Sequence, residues 1–536
     1  MSFRILVTDE VDQEGVAILQ AVPSFEVDVV PTLPAAALIA RIEAYDAIIG
    51  RSATRISEPL LRAAKRLRVV GRAGVGVDNV AMETATALGV AVINAPAGNT
   101  VAVAELFFGS LLSLVRHIHR ATTSMHAGRW ERSTLLGGEL KGRTLGIVGL
   151  GRIGSEVAHR AHAFGMDLVA YDPYIQPERF AAFRVRAART LDELLDAADV
   201  VTVHTPLTDE TRGLLGKPQL ARMRPGGIVV NMARGGIVDD AALVAALQEG
   251  RLGGAVLDVY VHEPLTGEHP FRGMPNVVLL PHIGAATAEA QRNVAVGVCA
   301  AVRDALLTGD YSRSLNATLV GEGADDVRPA LLLARRCAVV ARALLADRGP
   351  RALDSLTVRT GDELAGAAEV LLASAALGAL EGVVGDERVN LINARAVAAS
   401  RGLALSVLPS GVPPHSRAIE IRLGAEGTEV RVGGVASLDA PPRLTRIEQF
   451  HVDVAPRGTL LVLTNHDVPG VIGRVGTALG EAGVNIAEYH QARLKEGGEA
   501  LAVVSIDGPL PAAVRDALLA MRDVRSATVI HFGDDM

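Results

Sequence analysis

At 536 residues, 49% of them apolar, the chain is too long for one core, so several domains are expected. A formal net charge of −7 gives no basic footprint, so no nucleic acid is expected as a partner. Two cysteines, Cys299 and Cys337, cannot form a disulfide framework and match no zinc spacing. No apolar run reaches spanning length and the N-terminus has no signal layout, so the expectations are a reduced, cytoplasmic setting, no membrane and no metal.

In chain order, strands near 4–8, 46–49, 68–71 and 91–93 alternate with helices, which implies a parallel sheet with crossover connections. Asn99-Thr100 reads as the cap of an apolar helix running to about Arg120. A second series follows, with strands near 144–150, 167–171, 199–204, 226–232, 254–259 and 276–280, the six that a full dinucleotide fold requires. A helix over 286–308 returns the chain to the first unit. Residues 321–326 look like a linker, 329–346 form an alanine- and leucine-rich helix, and β-like runs occur near 403–407, 417–422 and 428–436. From Thr459 the pattern becomes a compact βαββαβ unit. The fold class is α/β: two Rossmann-like lobes, then an α+β unit, then the βαββαβ unit. The expected boundaries are 1–98 with 286–316, 99–285, 317–455 and 456–536.

The run Gly149-Leu150-Gly151-Arg152-Ile153-Gly154 lies between a strand and a helix, the setting in which G-x-G-x-x-G binds a dinucleotide. Gly149 allows the turn, Gly151 lets backbone approach a pyrophosphate, and Gly154 lets helix and strand pack closely. The helix N-terminus offers unpaired N–H groups. Asp172, eighteen residues past Gly154, ends the next strand, placed to accept from a ribose diol and to favour NAD over NADP.

Oxidising a secondary alcohol also needs a base, a partner to orient that base, and a cation for carbonyl and carboxylate. His282, Glu263 and Arg234 supply those types just past the carboxyl ends of neighbouring strands, where open α/β sheets bind ligands. Singly, they read as a cap or core histidine, a solvated acid and a surface cation. Together, after a dinucleotide motif, the catalytic reading outweighs the bland one.

The segments Gly71-Arg72-Ala73-Gly74-Val75-Gly76-Val77-Asp78-Asn79-Val80, Gly128-Arg129-Trp130-Glu131-Arg132, Gly149 to Gly154, Tyr171-Asp172-Pro173-Tyr174, Ala233-Arg234-Gly235-Gly236, Glu263-Pro264 and Pro281-His282-Ile283-Gly284-Ala285 resemble the D-isomer-specific 2-hydroxyacid dehydrogenases. Within that family they resemble the long form that oxidises D-3-phosphoglycerate with NAD, the first step of L-serine synthesis. The resemblance implies that Arg234 holds the substrate carboxylate, His282 is the acid/base and Glu263 its partner. It implies cofactor contacts at Arg152, Ile153, Asp172, Ala233 and Asp258, and a discontinuous substrate domain. Two departures are Met232, beside the expected nicotinamide site, and Tyr260-Val261-His262 before the glutamate, where His262 could compete with His282 for Glu263.

A phosphorylated substrate needs further cations: Arg51 and Arg72 lie at first-domain strand ends, with Gly74 in the same motif. Arg132 is expected to reach a neighbouring subunit's cleft. The terminal unit, with Asn465-His466-Asp467-Val468-Pro469-Gly470 and Gly483-Val484-Asn485-Ile486, resembles an ACT domain. That resemblance implies an amino-acid effector, L-serine, held by Asn465, Asp467 and Asn485, and a homodimer or homotetramer. The intervening region resembles one that sometimes binds anions, with Arg443 and Arg446 as contacts. The alternatives are a dehydrogenase for glycerate or 2-hydroxyglutarate, and a nucleotide-sensing corepressor-like protein.

Overall fold

The computed structural model describes residues 2–311, 313–317, 324–349, 352–381, 389–409 and 415–532. The first sheet is parallel, ordered Phe25–Val29, Phe3–Val7, Ala47–Gly50, Val69–Arg72, Ala91–Asn94. Its inner strands read as continuous apolar runs because helices cover both faces. One of those helices is Ala288–Thr308, whose Val294, Val298, Val302 and Leu306 join Ile5, Val7, Ile49 and Ile93 in one core. Thr287 caps it, its side chain accepting from Ala290 N–H. The late return of the chain to the first lobe therefore rests on hydrophobic burial.

The second sheet is also parallel, ordered Val277–Leu279, Leu252–Leu257, Gly227–Asn231, Val200–Val203, Thr144–Val148, Asp167–Tyr171, Arg186–Ala187. It has seven strands where the sequence led us to expect six. The extra edge strand is two exposed residues long, too short to carry a periodic signal. Strand order reverses at Thr144–Val148, and the crevice beyond its carboxyl end is where such sheets take their ligand.

The helix expected to run from Asn99 to about Arg120 is two helices, Thr100–Val115 and Ile118–His126, bent by 66°. The break falls at His117, held at a φ of 52° without a glycine or proline to announce it. Asn99 makes no capping bond; its Oδ1 and Thr100 Oγ1 are buried without a partner.

The third sheet pairs Leu353–Thr360 with Ala404–Val407 in parallel, then continues antiparallel through Ala418–Ala425, Thr428–Val435, Arg443–Ile447 and Phe450–Val454. Of the expected linker, 321–323 lie outside the described residues, and Ala324 already opens the helix Ala324–Asp347. Among the described residues one stretch, Asp362–Leu380, is long and apolar enough to span a membrane by length and composition, although Asp362, Glu363 and Glu369 interrupt it. Its Leu364, Val370, Leu371 and Ala375 are buried in this unit's core, which accounts for the composition.

The last sheet is antiparallel, ordered Ile486–Arg493, Glu499–Ile506, Thr459–His466, Val524–His531. Alternation along its strands buries both faces. Leu461, Leu463 and Val504 meet Val475, Leu479 and Leu518 of its own helices. Leu460, Val462, Val503 and Ile530 face the other way and complete the core of the third-sheet unit. The two tail units thus share one core. They also touch the first lobe: Ile392 is buried in its core, while Asn390 and Asn393 donate to Gly89 and Ala87 carbonyls.

Candidate active site

The turn after Thr144–Val148 is built as its glycines require. Gly149 has a φ of +90°, and a Cβ there would lie 2.8 Å from His204 O. A Cβ on Gly154 would collide with Gly149 O, so helix and strand approach only because it is glycine. Gly151 has no neighbouring atom within 4 Å of a Cβ position, leaving open the space that a pyrophosphate needs. No side chain caps the helix Arg152–Ala163, so its first N–H groups face that space. Asp172 is fixed by N–H bonds from Leu150 (2.9 Å) and Tyr174 (3.0 Å). Two buried polar atoms beside this turn lack partners, Thr205 Oγ1 and His204 Nδ1. Buried polar atoms normally pair, so this open glycine-lined space fits a dinucleotide rich in hydrogen-bonding groups. The sequence reading did not single out His204 or Thr205. The signal available was that His204-Thr205 follow a strand's carboxyl end, the ligand side of such sheets.

At the next strand ends, His282 Nδ1 lies 2.6 Å from Glu263 Oε2, leaving Nε2 free of the pair. Glu263 Oε1 accepts from Tyr260 N–H (2.9 Å), so the carboxylate is oriented at both oxygens. His262 makes no bond to it and stands as a loop histidine. The peptide Glu263-Pro264 is cis. His282 has a left-handed φ of 56°, and the backbone after it is held by Asp258, whose two oxygens accept from Ile283 and Gly284 N–H at 2.8 Å each. Burial raises the Asp258 carboxyl above its usual range, against the pull of those bonds. Tyr260 braces the loop, its hydroxyl donating to Leu280 O at 2.9 Å. Met232 is buried in the nucleotide lobe's core, where it packs as an ordinary apolar side chain.

Arg234 reaches across to the first lobe, where its Nε donates to Asp78 Oδ2 at 3.0 Å; Nη1 donates to Ala233 O. Asn231 fixes the local turn through Ala233 N–H and Arg234 O. Arg72 donates from Nε to Asn79 Oδ1 (3.2 Å) and from Nη1 to Ala73 O (2.8 Å). Burial, then the charges of Arg51 and Arg234, push the Arg72 guanidinium down to about 10. Three cations from both lobes are therefore gathered at one place, and Arg72 remains charged at neutral pH. A Cβ on Gly74 would collide with Arg72 Nη1, so that glycine makes room for the side chain. A cavity of about 670 Å³ opens beside His282, lined from the first lobe by Ser52 and Ala53 and from the second by Tyr260, Glu263, Arg272 and Pro281.

The remaining expected residues lie elsewhere. Arg132 is exposed in the turn Arg132–Thr134 and forms no ion pair among the described residues. Asn465, 1% exposed, donates to His466 O; Asp467 accepts from Arg493, which holds its carboxyl below the usual range; Asn485 donates to Asp507. Strand register places Asn465 opposite Ala500 and Ile486 opposite Ile506, so Asn465 and Asn485 stand at opposite ends of the sheet and do not meet within one chain. Arg443 is paired with Asp453, while Arg446 donates from Nε to Glu448 O.

A glycine turn at a sheet's switch point, facing a histidine–glutamate pair and an arginine, defines the class: an NAD-dependent oxidoreductase acting on 2-hydroxy acids. Residues 108–284 match the family model described as D-isomer specific 2-hydroxyacid dehydrogenase, NAD binding domain, and residues 459–523 match the ACT domain. A D-3-phosphoglycerate dehydrogenase of Synechocystis is 38% identical over 98% of this chain and 94% of its own. One from Mycobacterium bovis is 41% identical over 92% and 93%. The cofactor(NAD+)-bound 3-phosphoglycerate dehydrogenase of Entamoeba histolytica superposes with a TM-score of 0.51 at 27% identity, over 60% of this chain and all of that one. The chain belongs to the D-3-phosphoglycerate dehydrogenase family. Relatives of that name align over nearly the whole length, tail included, so the corepressor and other-hydroxyacid readings are not favoured.

Proposed function

We propose that the protein oxidises D-3-phosphoglycerate to 3-phosphohydroxypyruvate, the first step of L-serine synthesis. Gly149, Gly151, Arg152, Ile153, Gly154, Asp172, Ala233 and Asp258 would hold NAD, which would supply the hydride acceptor when bound. His282 Nε2 takes the proton from the substrate's hydroxyl as hydride leaves C2, and Glu263 stabilises the imidazolium through Nδ1. Arg234 holds the carboxylate and the developing carbonyl with its planar fork. Arg51 and Arg72 hold the phosphate, in space that Gly74 leaves open, and Arg132 of a neighbouring copy completes the cleft. The observation that carries the substrate is that Arg51 and Arg72 of the first lobe lie close to Arg234, offering guanidiniums for a phosphate beside the one for the carboxylate, with Asp78 and Asp9 offsetting part of their charge.

The remaining units fit a regulated assembly. We infer that L-serine binds between two ACT units, because Asn465 and Asp467 lie at one end of the sheet and Asn485 at the other, so a second copy must complete the site. Exposed Ile118, Met125, Trp130 and Leu136 around one helix provide apolar surface for a homodimer or homotetramer. The division proposed is a substrate domain of 1–98 with 286–316, a nucleotide domain of 99–285, an intervening domain of 317–455 and an ACT domain of 456–536. A cytoplasmic setting accords with two buried free thiols.

NADH formation from D-3-phosphoglycerate, compared with D-glycerate and D-2-hydroxyglutarate, tests the substrate. Preference for the phosphorylated acid is expected, and a higher kcat/KM with an unphosphorylated one overturns the assignment. His282→Ala should lower kcat roughly a hundredfold or more. Near-normal turnover in that variant removes the histidine from the chemistry.

A further inference from the structure

Two consecutive loop residues, Asp78 and Asn79, each hold one of the cleft's guanidiniums. Asn79 accepts from Arg72 Nε, while its own amide donates to Arg51 O (2.9 Å) and Thr54 O (2.6 Å), so it belongs to the first lobe's framework. Asp78 instead reaches Arg234 of the nucleotide lobe, across a sequence separation of 156 residues. The loop is shaped for this pair. A Cβ on Gly76 would collide with Arg234 Nη2 and lie 2.7 Å from Asp78 Oδ2, so only glycine leaves the two side chains room to meet.

Bonding at Nε and at Nη1 fixes the plane of a guanidinium, and the Nη2 N–H groups, which lie over Gly76, make no hydrogen bond among the described residues. We propose that Asp78 is a positioning residue for the 2-hydroxy acid: it holds Arg234 from the opposite lobe so that the remaining unbonded N–H groups are offered to the substrate carboxylate. The proposal rests on the reading of Arg234 given above. A purely structural role is poorly supported, because Asp78 is 69% exposed and its removal would leave no cavity.

Two effects compete when Asp78 is removed. Loss of a negative charge beside three arginines would favour any anion, while loss of the hydrogen bond frees the fork to rotate. At that exposure the charge is screened by solvent, and the orientation effect dominates.

The test uses the full chain. Asp78→Ala should raise KM for D-3-phosphoglycerate roughly tenfold, the scale of one lost bond to a charged group. Asp78→Asn, which keeps an acceptor oxygen of the same reach, should fall between that variant and the native protein. The Kd for NAD, measured by calorimetry, should not move. Nor should the inhibition constant of glycerol 3-phosphate, which has the phosphate but no carboxylate. Unchanged or lowered KM in both variants overturns the proposal, as does an equal loss of NAD affinity. If the native protein prefers an unphosphorylated hydroxy acid, the substrate assignment fails, while the Asp78 effect on KM for that acid still decides this proposal.

Discussion

His204 follows Val200–Val203 at the cofactor crevice, with Nε2 at 3.0 Å from Thr202 Oγ1 and Nδ1 sealed from solvent without a partner. Burial pushes its pKa down to about 4 from the ordinary 6.5. Above pH 6.5 the ring is neutral folded or unfolded and contributes no pH dependence. Between 6.5 and about 4 the unfolded chain takes up a proton that the folded chain refuses, so stability falls as pH falls. His204→Gln should therefore show a shallower drop in Tm across that window than the native protein, and parallel curves would refute the assignment. The residue scale also shows what a sequence can disclose. His282, Glu263 and Arg234 were legible because their types are complementary and each follows a strand end. Asp78 was not, since its partner lies 156 positions away and an aspartate in a glycine-rich loop has an ordinary explanation as a turn residue. Thr205 and Asn99 stand out only once burial reveals that their oxygens lack partners.

Strand, glycine turn and helix over Thr144–Ala163 form the most legible element, because each glycine answers a separate steric demand. Gly154→Ala tests this directly. Its methyl would strike Gly149 O and drive helix from strand, at a cost of about 1–3 kcal/mol, the usual range for overpacking. Both Tm and NAD affinity should fall; loss of neither would mean that the turn is looser than described. Two other elements defied the sequence for local reasons. The bend at His117 depends on a left-handed backbone in a histidine, which no pattern of apolar residues marks. The edge strand Arg186–Ala187 is exposed and has no alternation to detect. Conversely, Asp362–Leu380 is largely apolar because most of it is buried in the tail's shared core, with Asp362, Glu363 and Glu369 exposed.

In the whole molecule, the effector residues test the assembly. Because Asn465 and Asn485 occupy opposite ends of one sheet, the proposed serine site predicts that Asn465→Ala and Asn485→Ala each abolish inhibition by L-serine, and that a mixture of the two variants regains part of it by reconstituting intact sites between unlike copies. Rate measurements against L-serine on each variant and on the mixture check this; no recovery in the mixture places the site within one copy. The sequence disclosed the order of units but not how they are fastened, because buried contacts between distant segments leave no periodic trace. One such fastening is the run Asn390 to Asn393, with Ile392 sunk in the first lobe and both asparagines bonded to its backbone. The tail is in this sense a load strapped to the lobe that carries Arg51 and Arg72. Any movement of that lobe relative to His282 and Arg234 would have to carry the load with it, because Ile392 and the two asparagines fasten them together.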